Sequence, residues 1–264
     1  MDIIVFSGQS NMQGQSECLS DSSRIPGAYE YKFLTDSVVP LGNPVGEDIR
    51  FDRTEGYVFT AGVELEIWHQ DHIAGSACYG HTNLVPEFCR AYAETTGREV
   101  LAVHIAKGST DIAFWMPGNP GYEILVEKAT AAHKKVAAEH IFFAWLQGES
   151  DAIDGNSRQY YMDSLKRLCK ALMQDVEIEK FGIIRVGRFT NDSRDDEIIS
   201  AQDAICEEDS AFLMLTDIAT ELNRQTAYMN PQVEGHYSAR GLEVLGAAAG
   251  KTLGTYASKE VYYK

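Results

Sequence analysis

Five nearly continuous apolar runs, separated by helix-like stretches, constrain this chain more than any other feature. They are Ile3 to Phe6, Glu99 to Ile105, Ile141 to Leu146, Phe181 to Val186 and Phe212 to Leu215. Strands with one wet face alternate apolar and polar residues; runs without alternation suit parallel strands covered on both faces. Between them lie helical signals. Leu84 to Thr96 follows Asn83 as an N-cap and stops before Gly97. Tyr122 to Glu139 is rich in Ala, Lys and Glu, and Ser157 to Gln174 sets Tyr161, Leu165, Leu168 and Leu172 at helical spacing. Asp195 to Glu207 and Gly241 to Tyr256 complete the set. Strand then helix, repeated, predicts an α/β protein built as a three-layer α/β/α sandwich. A length of 264 residues suits one domain spanning 1–264.

One stretch resists this pattern. From about Glu17 to His81 there are many Gly, Pro and polar residues, and only Val63 to His69 looks helical. A long irregular insert after the first strand is more often functional than accidental. It is expected to lie over the carboxyl edge of the sheet and line the active site.

The first apolar run leads directly into Gly8-Gln9-Ser10-Asn11-Met12. A β-type run ending in a small-residue turn with a serine is how α/β hydrolytic sheets present a nucleophile. A serine hydroxyl needs a base, and histidine suits that role near neutral pH. Of seven histidines, His104 sits inside a strand run and reads as core, while His133 and His140 sit in or beside a charged helix. His69 and His72, three apart, form a conceivable metal pair without further ligands nearby. His236, in Glu234-Gly235-His236-Tyr237-Ser238 before the last helix, is the candidate base, since order along the chain is unconstrained. Oxyanion donors are sought at the other strand ends. The second run ends in Ala106-Lys107-Gly108, offering a backbone N–H at Gly108, and the third in Gln147-Gly148-Glu149, offering a side-chain amide at Gln147. Glu149 with Asp151 would also suit a glycosidase pair or a magnesium site, but neither explains Ser10 or His236.

A net charge of −16 argues against the nucleic-acid backbone or an anionic lipid surface as partner. No apolar stretch is long enough to span a bilayer. The five cysteines form no Cys-x-x-Cys pair, and Asp2 stands where a basic leader would begin. Reduced thiols and a cytoplasmic setting are the expectation.

Taken in order, Gly8 to Met12, Gly108-Ser109-Thr110 with Trp115 following, Gln147 to Asp151, and Gly235 to Ser238 resemble the SGNH hydrolase superfamily. Within it they are similar to the carbohydrate-esterase group of sialate O-acetylesterases and acetylxylan esterases. The resemblance implies a flavodoxin-like sandwich of about five parallel strands and a serine esterase without metal or cofactor, acting on acetylated carbohydrate. Ser10 is then the nucleophile and His236 the base. The Ser10 and Gly108 N–H groups and the Gln147 side chain form the oxyanion hole, with Asn11 beside them and Glu149 organising the loops. The family's acid stands three residues before the histidine, where this chain has Val233. Glu234 is the nearest substitute; a backbone carbonyl or Asp217 would otherwise orient the ring. The rim for the alcohol portion is assigned to the insert with Phe114, Trp115 and Met116. Arg50, Arg53 and Arg188 are the candidate cations for a sialate carboxylate. A broad GDSL-type lipase or thioesterase and a non-catalytic carbohydrate-binding protein are the alternatives, and oligomeric state has no signature here.

Overall fold

The computed structural model describes residues 1–18, 21, 23–47 and 82–260. The helix expected at 63–69, His69, His72, His81, Arg50 and Arg53 lie outside them.

All five apolar runs form strands: β1 (Asp2–Gly8), β4 (Val100–Ala106), β5 (Ile141–Leu146), β6 (Lys180–Ile184) and β7 (Phe212–Thr216). Two more come from the insert, β2 (Ala28–Lys32) and β3 (Ser37–Pro40). Among the described residues the sheet is thus seven-stranded rather than five-stranded, in the order β3-β2-β4-β1-β5-β6-β7. All neighbours pair in parallel except β2 with β3. Without the hairpin, the order follows the flavodoxin-like pattern 2-1-3-4-5.

The helices are α1 (Ser10–Gln13), α2 (Val85–Thr96), α3 (Pro120–Lys135), α4 (Glu149–Asp154), α5 (Arg158–Asp175), α6 (Ser193–Glu208), α7 (Ala219–Leu222) and α8 (Ala239–Glu260). Helix α2 packs on α8, α5 packs on α6, and α3 lies against β1 and β4, giving the two helical layers. The central strands are apolar because both faces are covered. Every residue of β1 and β5 is buried. Phe6 meets the Phe88 ring edge-on at 4.9 Å, and Phe143 meets Phe181 at 4.6 Å.

The insert's hairpin is held by buried charge. Lys128 on α3, wholly buried, donates to Glu47 Oε2 at 2.6 Å and to the His104 carbonyl at 2.8 Å. Glu30 on β2 pairs with Lys32 at 2.8 Å and accepts from the Gly46 N–H at 2.8 Å. Buried ions persist only when paired in this way.

The register fixes where chemistry can occur. Gly8 at the end of β1 stands opposite Ala106 on one side and Leu146 on the other. The chains leaving β1, β4 and β5 therefore start side by side at the carboxyl edge, the usual ligand crevice of an open α/β sheet.

Candidate active site

Gly8 allows the turn to Ser10. Its φ is +152°, and a Cβ there would lie 1.9 Å from the Leu146 carbonyl oxygen, so only glycine fits between β1 and β5. Ser10 is then the first residue of α1 and is 5% exposed. N–H groups of a first turn have no intrahelical acceptor, so the Ser10 amide is a ready donor. Neutral His104 braces the far end of this turn. Burial takes its pKa down to about 4, and its Nε2 bonds the Met12 carbonyl at 2.9 Å.

The polar neighbours of Ser10 tie the strand ends together. Gln9 Oε1 accepts from the Gly148 and Ser150 N–H groups at 3.3 and 3.1 Å, capping the start of α4. Asn11 Nδ2 donates to Glu149 Oε1 at 2.8 Å, while Asn11 Oδ1 accepts from the Tyr237 N–H at 3.2 Å. One amide thus joins the β1, β5 and histidine loops. Glu149 is 3% exposed and its second oxygen has no partner among the described residues. Burial is the main cause of its raised pKa, opposed by the Asn11 bond.

Gly108 lies against Ser10: a Cβ built on it would stand 3.4 Å from the Ser10 Cβ. Its N–H is engaged by Gln13 Oε1 at 2.9 Å. Gln147 reaches the same edge but is 0% exposed, and its Nε2 has three acceptors. These are Asp151 Oδ2 at 2.6 Å, the Thr110 carbonyl at 3.0 Å and Gln9 Oε1 at 3.2 Å. An amide nitrogen has two hydrogens, so none is left for an oxyanion. The rest of Gln147 is held by Tyr161, whose hydroxyl donates to its carbonyl at 2.6 Å, and by Gln202 Nε2 at 2.9 Å.

His236 arrives on a loop pinned to the same centre. Asn230 Oδ1 accepts from Gln232 N at 2.8 Å and Val233 N at 3.3 Å, and Asn230 Nδ2 donates to the Gln15 carbonyl at 3.0 Å. The His236 Nδ1 sits 3.0 Å from the Glu234 backbone carbonyl. A carbonyl only accepts, so Nδ1 carries the proton and Nε2 keeps its lone pair. That Nε2 is buried without a partner among the described residues. Burial lowers the His236 pKa, and the carbonyl bond partly opposes it. Phe189, from the β6–α6 loop, packs edge-on against the imidazole at 5.7 Å.

The structure thus brings Ser10, Asn11, Gly108, Gln147 and Glu149 to one edge, with His236 bonded in through its neighbour Tyr237. The Glu234 carboxylate does not join them. That side chain is exposed, and the residue contributes its carbonyl instead. Asp217 is likewise exposed. Trp115 is core rather than rim: it is fully buried, donates to Thr110 Oγ1 at 3.0 Å and packs edge-on with Trp145 at 5.9 Å. Met116 is buried as well, and Phe114 half-buried. Arg188 is bonded to Asp196. Half-buried Lys107, next to Gly108, lies 5.8 Å over the Phe114 ring. Burial lowers its pKa, and it has no carboxylate partner among the described residues. Gln9, Gln13, Phe189 and Asn230 went unread in the sequence. For Gln9 the signal is the repeated Gly-Gln-Ser, at Gly8 and Gly14; Gln13 lies between the two copies, and Phe189 and Asn230 sit in loops with no spacing to announce them. Among the described residues no group of three or more His, Cys, Asp or Glu side chains is placed to hold a metal ion, and no helix is long and apolar enough to cross a membrane.

The model of the carbohydrate esterase, sialic acid-specific acetylesterase family matches residues 1–248. The chain belongs to this family. A probable carbohydrate esterase of Arabidopsis thaliana is 27% identical over 203 residues, covering 76% of this chain and 74% of that protein. An X-ray structure from Arabidopsis thaliana superposes with a TM-score of 0.66 at 20% identity, covering 96% of this chain and 97% of that one. NanS superposes at 0.62 with 14% identity over 97% of both chains. These structural likenesses share the three-layer fold of SGNH-type hydrolases, and the family is one of carbohydrate esterases.

Proposed function

We propose that this protein is a carbohydrate O-acetylesterase working through a Ser10–His236 dyad, with sialate esters as the preferred substrates. The observation that carries the reading is the imidazole: Nδ1–H held on the Glu234 carbonyl, Nε2 buried and unpartnered, on a loop bonded to the residue after Ser10. A general base requires that tautomer.

Ser10 Oγ attacks the acetyl carbonyl carbon as His236 Nε2 takes its proton. The carbonyl oxygen becomes an oxyanion, held by the Ser10 and Gly108 N–H groups. His236 returns the proton to the departing sugar oxygen as the C–O bond breaks, leaving acetyl-Ser10. Water then attacks, giving its proton to His236, and acetate leaves as Ser10 Oγ recovers a proton. Two backbone donors carry the oxyanion in this reading. Gln147 braces Gln9 and Thr110, and Glu149 with Asn11 holds the loops in register. Among the described residues, Lys107 is the cation beside Gly108 available to a sialate carboxylate.

Acetate release from O-acetylated sialates, xylan oligomers and simple sugar acetates tests the function. Ser10→Ala is expected to abolish release while the fold is kept, and a fluorophosphonate is expected to label Ser10. Full activity of Ser10→Ala sinks the mechanism. A strong preference for long acyl chains turns the reading to a lipase or thioesterase, and absence of labelling with intact sugar binding turns it to a binding protein.

A further inference from the structure

The second Gly-Gln-Ser of the chain, Gly14-Gln15-Ser16, has no place in the mechanism above. Ser16 is fully buried, its hydroxyl donating to the Cys18 carbonyl at 2.8 Å, so it is not a second nucleophile. Its neighbour Gln15 has a different situation. Helix α1 ends at Gly14, and the chain turns so that Gln15 Nε2 comes within 3.5 Å of Gln13 Oε1. Both glutamines lie on Gly108. A Cβ built there would stand 2.8 Å from Gln15 Nε2 and 3.1 Å from Gln13 Oε1, on the side where it also meets the Ser10 Cβ.

The Gly108 N–H already has an acceptor, Gln13 Oε1 at 2.9 Å. An oxyanion held by the same N–H must stand at about 2.7–3.1 Å from that nitrogen. One N–H serves one strong acceptor, so the amide oxygen and the reacting oxygen compete for the same volume.

Resting on the esterase reading, we propose that Gln13 is a substrate-displaced cap on the oxyanion hole, its carboxamide oxygen occupying the place of the acyl oxygen until substrate drives it off. Gln13 is a positioning residue, because it acts through the Gly108 N–H and leaves before the chemistry. The cap keeps the half-buried donor satisfied in the free enzyme, where an unmet N–H shielded from water is costly. It also sets a toll on binding that is the same for every acyl ester and independent of the alcohol.

Steady-state kinetics of Gln13→Ala on a small acetyl ester and on an acetylated sugar test this. Exchanging one ordinary hydrogen bond for another is worth about five-fold in equilibrium. Gln13→Ala is therefore expected to lower KM about five-fold on both substrates, with kcat within about two-fold of the parent. Gln13→Glu, of the same shape, puts a charged acceptor on the N–H and is expected to raise KM at least about ten-fold near neutral pH. Unchanged KM in both variants overturns the proposal, and so does a fall in kcat/KM for Gln13→Ala, which would make Gln13 a donor in the reaction. A crystal structure of the parent enzyme with a phosphonate on Ser10 separates the two readings. The expected structure has a phosphoryl oxygen on the Gly108 N–H and Gln13 swung away. Gln13 still bound to Gly108 beside a labelled Ser10 overturns the cap and leaves the esterase standing. Failure of Ser10 to take the phosphonate overturns both.

Discussion

Replacing Glu234 by alanine removes an exposed carboxylate and leaves in place the carbonyl that holds His236. A unit charge at ~5 Å from an imidazolium in a water-like dielectric contributes about 0.8 kcal/mol, or roughly four-fold in rate. A buried acid that sets the tautomer is worth about 10⁴ in kcat. The expected loss in kcat/KM for Glu234→Ala is thus no more than about four-fold, shrinking further in salt. The companion change is Gly235→Ala. The Glu234 carbonyl lies in the peptide plane joining it to Gly235, whose φ is +77°. Alanine costs about 1–2 kcal/mol in that region. Its Cβ would also stand 2.2 Å from the Phe189 ring, which packs on His236. The loop or the ring must shift, and the imidazole with it. Initial rates of acetate release should fall at least about ten-fold in kcat for Gly235→Ala, with KM little changed. A loss of about 10³ or more in Glu234→Ala, with Gly235→Ala close to the parent, refutes a carbonyl-held dyad.

Other outcomes follow from the same geometry. Since the base must be neutral and burial disfavours the imidazolium, kcat/KM should be lost on acidification only below the ordinary histidine value of about 6.5; an acid limb centred above that value contradicts the assignment. Asn11→Ala strips Glu149 Oε1 and the Tyr237 N–H of their partner at about 1–3 kcal/mol each. Urea unfolding should show a loss of roughly 2–6 kcal/mol with a lower kcat, and a loss under about 0.5 kcal/mol rules out the bridge. Lys107→Met should cost about ten-fold in kcat/KM on acetylated sialates, the scale of one charge-assisted hydrogen bond, and little on neutral sugar acetates; equal losses on both remove its role with the carboxylate.

The layers of this fold were legible because burial on both faces leaves an unmistakable mark. Phe142, Phe143, Trp145 and Phe181 cannot be arranged as one-sided strands, so β5 and β6 declared themselves as interior. The hairpin was not legible for the opposite reason. In β2 the sequence Ala28-Tyr29-Glu30-Tyr31-Lys32 puts Glu30 inside, 2% exposed, where a strand pattern calls for an apolar residue. What makes Glu30 tolerable is Lys32 beside it and the Gly46 N–H, with Lys128 from α3 lowering the cost. Lys128 is nearly a hundred residues away in sequence, so no local window contains the compensation.

The site divides along the same line. The sequence showed which residue types reach the carboxyl edge, and the register of β1 against β4 and β5 makes their convergence unavoidable. It did not show which way each polar group would turn, and at that edge direction decides the role. Its place after a buried strand marks Gln147 as a donor, as it does Gly108. Yet Asp151 stands four residues on, at the start of α4, and takes the amide at 2.6 Å. Burial raises the Asp151 pKa to about 6, opposed first by that same bond, so the pair stabilises each other in place. A buried carboxylate needs donors more than a transient oxyanion does, because it is present in every molecule at all times. A backbone N–H at a tight turn faces a weaker rival, a neutral amide oxygen in the case of Gly108 and Gln13. In the proposed mechanism the reacting oxygen is therefore left to the amides of Ser10 and Gly108, and among the described residues the half-buried Gln13 is the side chain that contests one of them.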